Sequence, residues 1–448
     1  MASLTFYGGI NEIGGNKILV EDKGARVFFD FGQSFSLLDD YFIPESYLFP
    51  RERFGLRDYF EFGLIPMLKG LYSQEALAYT ELEFSEPEFD GVFISHAHFD
   101  HVAHLNYLHP EIPIYLGDAT KRILDSTSIT TRTSFFPEGA DIRTFRSGKE
   151  IDVGGVKVTP IHVDHSVPGA YGFLIETSGG VIAYTGDFRK HGPRADMTEE
   201  FIEKAKCAEP EALIIEGTRV ADVEKRKNHT EEFVRRESRK IVENAKGLVL
   251  AMRYPKDLDR MMTFYGLAKE SGKTLVISMK TAHLLLSLKD DPHISLPDPF
   301  ADKNIEVYCR LMLRYNKWEA EMIEKCIGSD YVHENLNNVI LELDFYHLTE
   351  LIDIRPDGGE CIHSMSEPIE EDPISVISDD ILENWLIHFG MRRHQLHASG
   401  HLSRQEVMSA IKEISPKLVF PVHTENPMLF RESGTKVELV EKGNRIEI

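Results

Sequence analysis

The stretch Asp90–His101, DGVFISHAHFDH, decides the fold. Gly91 to Ser95 read as a short buried strand, and the polar residues begin where that strand ends. They form the pattern H-x-H-x-D-H, with His96, His98, Asp100 and His101 inside six positions. Alternation along extended chain brings His96 and His98 to one side. Asp100 and His101 then turn toward a neighbouring position. A loop of this kind can feed two adjacent metal ions, two histidines to one and the aspartate and histidine to the other. Imidazole and carboxylate ligands suit zinc, and also manganese or iron. A lone histidine is usually a core or surface residue; this density at a strand end is a metal loop that still needs ligands from elsewhere.

Working outward, three further strand ends carry candidates: His165 after KVTPIHVD, Asp187 after VIAYTG and His423 after KLVFPV. His162, three positions before His165, is the competing reading at the first of these. Upstream, LTFYGG and KILVED read as a hairpin around INEIGGN, followed by the strand ARVFFDFG ending at Asp30. Residues 33–88 are aromatic and irregular, an excursion that could cover a site; its Phe35 and Tyr41 could stack on a base, although packing is the ordinary role of such rings. Downstream come a helix (HVAHLNYL, with His104 taken as structural), the strands IPIYLG and KVTPIHVDHS, a hairpin turning at Ser178-Gly179-Gly180, and EALIIEGTR, a strand ending at Glu216. The pattern then changes. A charged helical stretch from Asp222 to Asn244, the strand GLVLAM, a helix from Asp257 to Ser271 and the strand TLVIS alternate as βαβ units of a parallel sheet. NNVILELDF and ECIHSMSEP add strands. HQLHASG, SRQEVMSAIKEI and KLVFPVHTE return to strand and helix units, and KVELVEKGNRIEI reads as a closing hairpin.

A chain of 448 residues suits two domains, or one with a large insertion. No run approaches the roughly 18 apolar residues of a membrane span. The N-terminus lacks the charged and apolar regions of a signal peptide, so a cytoplasmic protein without a membrane partner is expected. Cys207, Cys309, Cys326 and Cys361 show no CxxC spacing, which favours buried free thiols over disulfides or a cysteine zinc site. A net charge of −23 argues against non-specific nucleic-acid binding. A polyanion site here must be built from metal ions and a few placed cations.

The order H-x-H-x-D-H, then His165, then Asp187 in a TGD turn, then His423, resembles the metallo-β-lactamase superfamily. The resemblance implies an α/β fold, the αββα sandwich, in which His96, His98 and His165 hold one metal, Asp100, His101 and His423 hold the other, Asp187 bridges them, and Asp30 supports the site. EGTR (Glu216), HASGH (His397, Ser399, Gly400, His401) and PVHTE (His423) are similar to the three motifs of the nucleic-acid-processing branch. More than a hundred residues of βαβ character lie between the first two, as in the β-CASP nucleases. GGINEIGGN, HSVPGAYGF and HSMSEP look most like archaeal ribonuclease J. The implied division is a metallo-β-lactamase domain in two parts, 1–219 and 389–448, around a β-CASP insertion at 220–388.

The activity implied is hydrolysis of single-stranded RNA, 5′-to-3′ from a 5′-monophosphate, leaving 5′-phosphate products, with some endonuclease action. The cofactors implied are two divalent ions, zinc first and manganese second. Asp187, His401 and Glu216 form the expected catalytic set, with His401 as proton donor to the leaving 3′ oxygen and Glu216 orienting it. His397, Ser399, Gly400 and His401, joined by Ser364 and Ser366, would receive the terminal phosphate. Arg189, Lys190 and Arg219 would touch the RNA backbone. Bacterial ribonuclease J has a further C-terminal dimerisation domain, so a homodimer stays open, as do partners in an RNA-decay complex. Three alternatives compete. DNA-processing members of the branch tend to carry Val rather than His at the third motif. Small-molecule hydrolases lack both the insertion and HASGH. Non-catalytic RNA scaffolds lose metal ligands, whereas this chain keeps all seven.

Overall fold

The protein is described here by a computed structural model covering every residue except 44–47, 224–226, 228 and 369–372. The expected hairpin opens the first sheet: β1 (Ser3–Gly8) pairs antiparallel with β2 (Lys17–Asp22), and β2 with β3 (Ala25–Phe29). The sheet then grows in parallel through β4 (Gly91–Ile94), β5 (Ile114–Gly117) and β6 (Ile142–Phe145). The unbroken apolar character of β4 and β5 follows from burial on both faces. A second sheet holds β7 (Ile151–Val153), β8 (Val156–His162), β9 (Tyr171–Thr177), β10 (Gly180–Tyr184) and β11 (Ala212–Glu216). The two sheets face each other through interlocking aromatics, including Phe6, Phe29, Phe93, Phe173, Tyr184 and Phe420. Helix Asp118–Thr131 packs on β5, and helices Ala195–Cys207 and Arg404–Ile414 cover the second sheet through Phe201, Ile202 and Ile411. The result is the expected αββα sandwich.

A third, all-parallel sheet holds β12 (Leu248–Arg253), β13 (Thr274–Ser278), β14 (Ile305–Tyr308), β15 (Val339–Glu342), β16 (Gly359–Ser364) and β17 (Met391–Gln395), in the order β14-β13-β15-β12-β16-β17. The chain then returns to the sandwich, where β18 (Leu418–Val422) lies parallel to β11 and β19 (Arg445–Glu447) antiparallel to β1.

Five expectations are corrected. The return expected at 389 comes later, because β17 still pairs with β16; a short strand reads the same locally whichever sheet supplies its partner. The helix after the metal loop is only Phe99–Val102, followed by a 3₁₀ turn at Leu105–Tyr107. It stops because the His104 N–H bonds to the Phe31 carbonyl instead of to its own helix. No closing hairpin forms: Val437 bridges to Val419, while β19 pairs with β1, satisfying backbone that an open edge would leave bare. Within the stretch 222–244 the helix spans Glu231–Asn244 behind a Thr230 cap, and residues 224–226 and 228 lie outside the described residues. Of the four free cysteines only Cys361 is fully buried. The excursion 33–88 buries Leu56, Leu71 and Tyr72 in the core containing Phe28, Phe31 and Val102. Phe35 and Tyr41 are exposed, and the Tyr41 ring lies 4.7 Å from that of Phe62.

The C-terminal ends of β3, β4, β8, β10, β11 and β18 supply Asp30, the metal loop, His165, Asp187, Glu216 and His423. The C-terminal ends of β12, β16 and β17 approach the same place from the insertion, where Lys256, Ser364 and Ala398 make their contacts.

Candidate metal centre

Two groups of side chains offer converging ligand atoms, each within 4.8 Å of its fellows: His96, His98, His165 and Asp187, and Asp100, His101, Asp187 and His423. In the first, His96 Nε2 lies 3.1 Å from His98 Nδ1, which lies 3.0 Å from His165 Nε2. Burial drives all three rings toward the neutral form, His98 to about 4 and His96 and His165 well below their ordinary value. In the second, His423 Nε2 lies 2.8 Å from Asp100 Oδ2. Asp187 Oδ2 stands between the groups, 3.6 Å from His96 Nε2, 3.3 Å from His101 Nε2 and 3.8 Å from His423 Nε2. Burial opposes charge on His423 and His101, but Asp187 and its neighbouring carboxylates overcome it, raising His423 to about 9 and His101 well above the ordinary range. Burial likewise resists the Asp187 carboxylate, yet His423 and His101 hold its pKa well below normal.

These residues fit divalent cations. Neutral imidazoles crowded nitrogen to nitrogen cannot all satisfy one another. His101 Nε2 and Asp187 Oδ1 are buried without a hydrogen-bond partner, a cost that a cation between them would remove.

The ligands are held from behind, as metal ligands generally are. Asp30 is fully buried and accepts four hydrogen bonds: from Ser95 N (2.7 Å), Ser95 Oγ (2.8 Å), Tyr184 OH (2.6 Å) and His101 Nδ1 (2.8 Å). His165 Nδ1 donates to the Gly400 carbonyl at 2.6 Å. Asp30 and His423 both sit at positive φ, 58° and 54°, a conformation uncommon outside glycine that marks constrained functional backbone. Gly32 is required by close approach, since a Cβ there would fall 1.7 Å from the Asp100 carbonyl oxygen.

A third group, Asp187, Glu216 and His401, adjoins the first two. His401 Nδ1 is 3.0 Å from Glu216 Oε1 and 3.8 Å from Asp187 Oδ2. Thr218, unassigned in the sequence reading although it lies within EGTR, joins the parts. Its N–H and Oγ1 reach Glu216 Oε2 at 2.9 and 2.8 Å, and its Oγ1 lies 2.8 Å from His423 Nδ1. Ser95 and Tyr184 were also missed. Their spacing carries no signal, because their importance comes only from meeting Asp30.

The segment His397–His401 lies beside this group. Ser399 Oγ accepts from His401 N at 3.1 Å, the Ser399 carbonyl accepts from His191 Nε2 at 2.8 Å, and Ser366 Oγ lies 3.4 Å from His397 Nε2. His397 Nδ1 is buried without a partner, and burial lowers its pKa to about 3. Ser364 departs from expectation: it is fully buried, its hydroxyl donates to the Leu396 carbonyl and it accepts from Arg260, so it is not free for a phosphate. Arg189 and Arg219 are buried too, at 0% and 1% exposure, which withdraws them from the RNA backbone. Both follow motif strands whose ends point inward. Lys190 pairs with Glu413 at 3.6 Å. The His162 ring lies tilted 4.3 Å from that of Tyr171 and joins no ligand group among the described residues, and His104 is packed between Tyr59 and Tyr107.

Comparison with known proteins places this geometry. A domain described as "Beta-lactamase superfamily domain" matches residues 69–243, and "Zn-dependent metallo-hydrolase RNA specificity domain" matches residues 387–446. The chain belongs to the metallo-β-lactamase superfamily. Most of the third sheet lies between these two matched stretches. The chain is 22% identical to ribonuclease J of Helicobacter pylori (strain ATCC 700392 / 26695), with 99% of this chain and 60% of that protein aligned. It is 23% identical to ribonuclease J of Pyrococcus abyssi, covering 96% of this chain and 91% of that one. It thus spans about three fifths of the length of the first curated relatives it matches. A crystal structure of a protein of unknown function from Enterococcus faecalis V583 superposes with a TM-score of 0.79 at 26% identity, covering 99% of both chains. The His/Asp cluster thus lies in a metallo-β-lactamase fold and offers donors suited to a divalent metal.

Proposed function

We propose that the protein is a metal-dependent ribonuclease that trims single-stranded RNA from a 5′-monophosphorylated end, in the 5′-to-3′ direction, and leaves 5′-phosphate products. The observation that carries this reading is the sharing of Asp187 Oδ2 by two metal-type ligand groups, with the Glu216–His401 pair beside it. His96, His98 and His165 would hold one ion, Asp100, His101 and His423 the other, and Asp187 both; zinc fits these ligands first and manganese second. Bound there, the ions would supply a nucleophile at neutral pH and neutralise phosphate oxygens, which is most of what phosphoryl transfer needs.

The chain's own groups do the rest. His401, its Nδ1 held by Glu216, offers its other nitrogen as proton donor to the leaving 3′ oxygen. His397, Ser399, the Gly400 N–H and Ser366 would receive the terminal phosphate, and the unpartnered His397 Nδ1 supports this. Two divalent cations also answer the net charge of −23, since they create a local positive site in a negative protein. The ribonuclease J relatives and the RNA-specificity description support RNA as substrate.

The test is to incubate the protein, loaded with zinc or manganese, with 3′-labelled RNA carrying either a 5′-monophosphate or a 5′-triphosphate, beside a DNA strand. Progressive shortening of the monophosphorylated RNA alone is expected. Internal cuts insensitive to the 5′ group would sink the terminal-phosphate pocket, and trimming of DNA but not RNA would move the protein to the DNA-processing members of the branch.

A further inference from the structure

The turn at residues 254–260, which enters helix Leu258–Ser271 of the third-sheet domain, contacts the metal centre from outside at three places. Lys256 Nζ donates to the Ala97 carbonyl at 2.7 Å, between His96 and His98. Asp259 Oδ2 accepts from Arg189 Nη2 at 2.8 Å, and Arg189 Nε reaches Asp164, the neighbour of His165, at 3.3 Å. Arg260 donates to the Ala398 carbonyl at 3.4 Å, beside His397, and also engages Ser364.

The turn is itself rigid. Arg253, buried at the end of β12, donates to the carbonyls of Tyr254, Pro255 and Asp257 at 3.0, 3.1 and 3.3 Å, while its other nitrogen pairs with Glu342 on β15. Asp257 caps the helix by accepting from Arg260 N at 3.0 Å. Glu231, at the start of helix Glu231–Asn244, binds Arg189 and Arg260 together at 2.9 and 2.8 Å. Arg189 and Arg260 are both fully buried. Fully paired buried arginines of this kind hold position rather than add net stability, because desolvation consumes most of the attraction.

We infer that Lys256 and Arg260 are positioning residues: the 254–260 turn is a clamp through which the inserted domain sets the loops carrying His96, His98, His165 and His397–His401. This rests on the metal-centre reading above and not on RNA being the substrate. Groups that align ligands from behind typically change metal affinity or activity about 10- to 100-fold when removed.

The test uses the full chain as Lys256→Met, Lys256→Arg, Arg260→Lys and the double variant Lys256→Met/Arg260→Lys. Arg260→Met is avoided, because it would strip Glu231 of a buried partner and could unfold the protein. Four quantities are read: thermal midpoint, the visible spectrum and affinity of bound cobalt(II), turnover of bis(p-nitrophenyl) phosphate, and turnover of RNA. Each loss-of-contact variant is expected to stay folded, shift the cobalt spectrum, and lower kcat on the phosphodiester about tenfold, with KM within about threefold. Lys256→Arg is expected to restore most of the loss. In the double variant the losses are expected to be less than multiplicative, as for two arms of one device. Folded variants with the parent's cobalt spectrum and kcat would overturn the clamp. So would losses that only follow a fallen thermal midpoint. A parent that binds cobalt and cleaves the model diester but not RNA would overturn the ribonuclease reading alone, with the clamp still judged by cobalt.

Discussion

At the scale of the residue, Asp187 organises the centre, because a single oxygen faces the rings of His96, His101, His401 and His423. Behind it Asp30 decides which way His101 points. Asp30→Asn is a clean probe: asparagine tolerates the positive φ, so backbone strain is unchanged, but its amide would turn donors toward donors. Metal affinity is expected to fall about 10- to 100-fold, measured by competition with a chelating dye. His98→Ala removes a ligand and is expected to lower turnover about a thousandfold, the several kcal/mol that a metal contributes, with metal content falling in parallel. His401→Ala separates the two roles. Turnover should drop about a hundredfold or more, as for loss of a general acid, with metal content intact by mass spectrometry; a parallel loss of metal would make His401 a ligand instead. The candidate ligands stood out in the sequence because they gather just after strands with recognisable apolar runs. Thr218, Ser95 and Tyr184 did not, since a hydroxyl acquires its role only from what folding sets against it.

At the scale of the element, the helix Arg404–Ile414 follows directly on HASGH and begins with a full capping box. Ser403 Oγ lies 3.4 Å from Glu406 N, and Glu406 Oε2 accepts from Ser403 N at 2.8 Å. Ser403→Ala is expected to cost about 1 kcal/mol in urea unfolding while leaving kcat within about twofold; a large kcat loss at that small cost would show that the cap also positions His401. Element types were readable almost throughout, from alternation in the antiparallel strands and continuous apolar runs in the parallel ones. Errors gathered at the ends of elements. There the deciding bond is made by a distant segment: the Phe31 carbonyl that stops the helix at His104, or the β1 edge that takes β19.

At the scale of the whole molecule, protons and metals compete. Without metal, burial resists charge on His423, but the carboxylates of Asp187 and Asp100 raise it to about 9, above its unfolded value near 6.5. Its stabilising contribution is therefore complete below about pH 6.5 and disappears as pH rises through 9. Metal binding must expel that proton, so affinity should rise over the same window. Melting curves of chelator-treated and zinc-loaded protein between pH 6.5 and 9 are expected to diverge as pH increases, the treated sample losing stability. A constant gap would show that His423 binds no proton in the metal-free state.

The sequence by itself determined the inventory: seven candidate ligands and the parallel insertion, because strand-end motifs and strand–helix alternation are local signals, and the resemblance those motifs carry implied the sandwich. Only the tertiary structure decided the pairings. His423 meets Asp100 across 323 positions, and Arg189, a cation expected to touch RNA backbone, is sealed with Arg260 around Glu231. A charged side chain carries no local mark of whether water or a carboxylate will surround it; burial depends on which distant segment closes over it, and periodicity does not encode that.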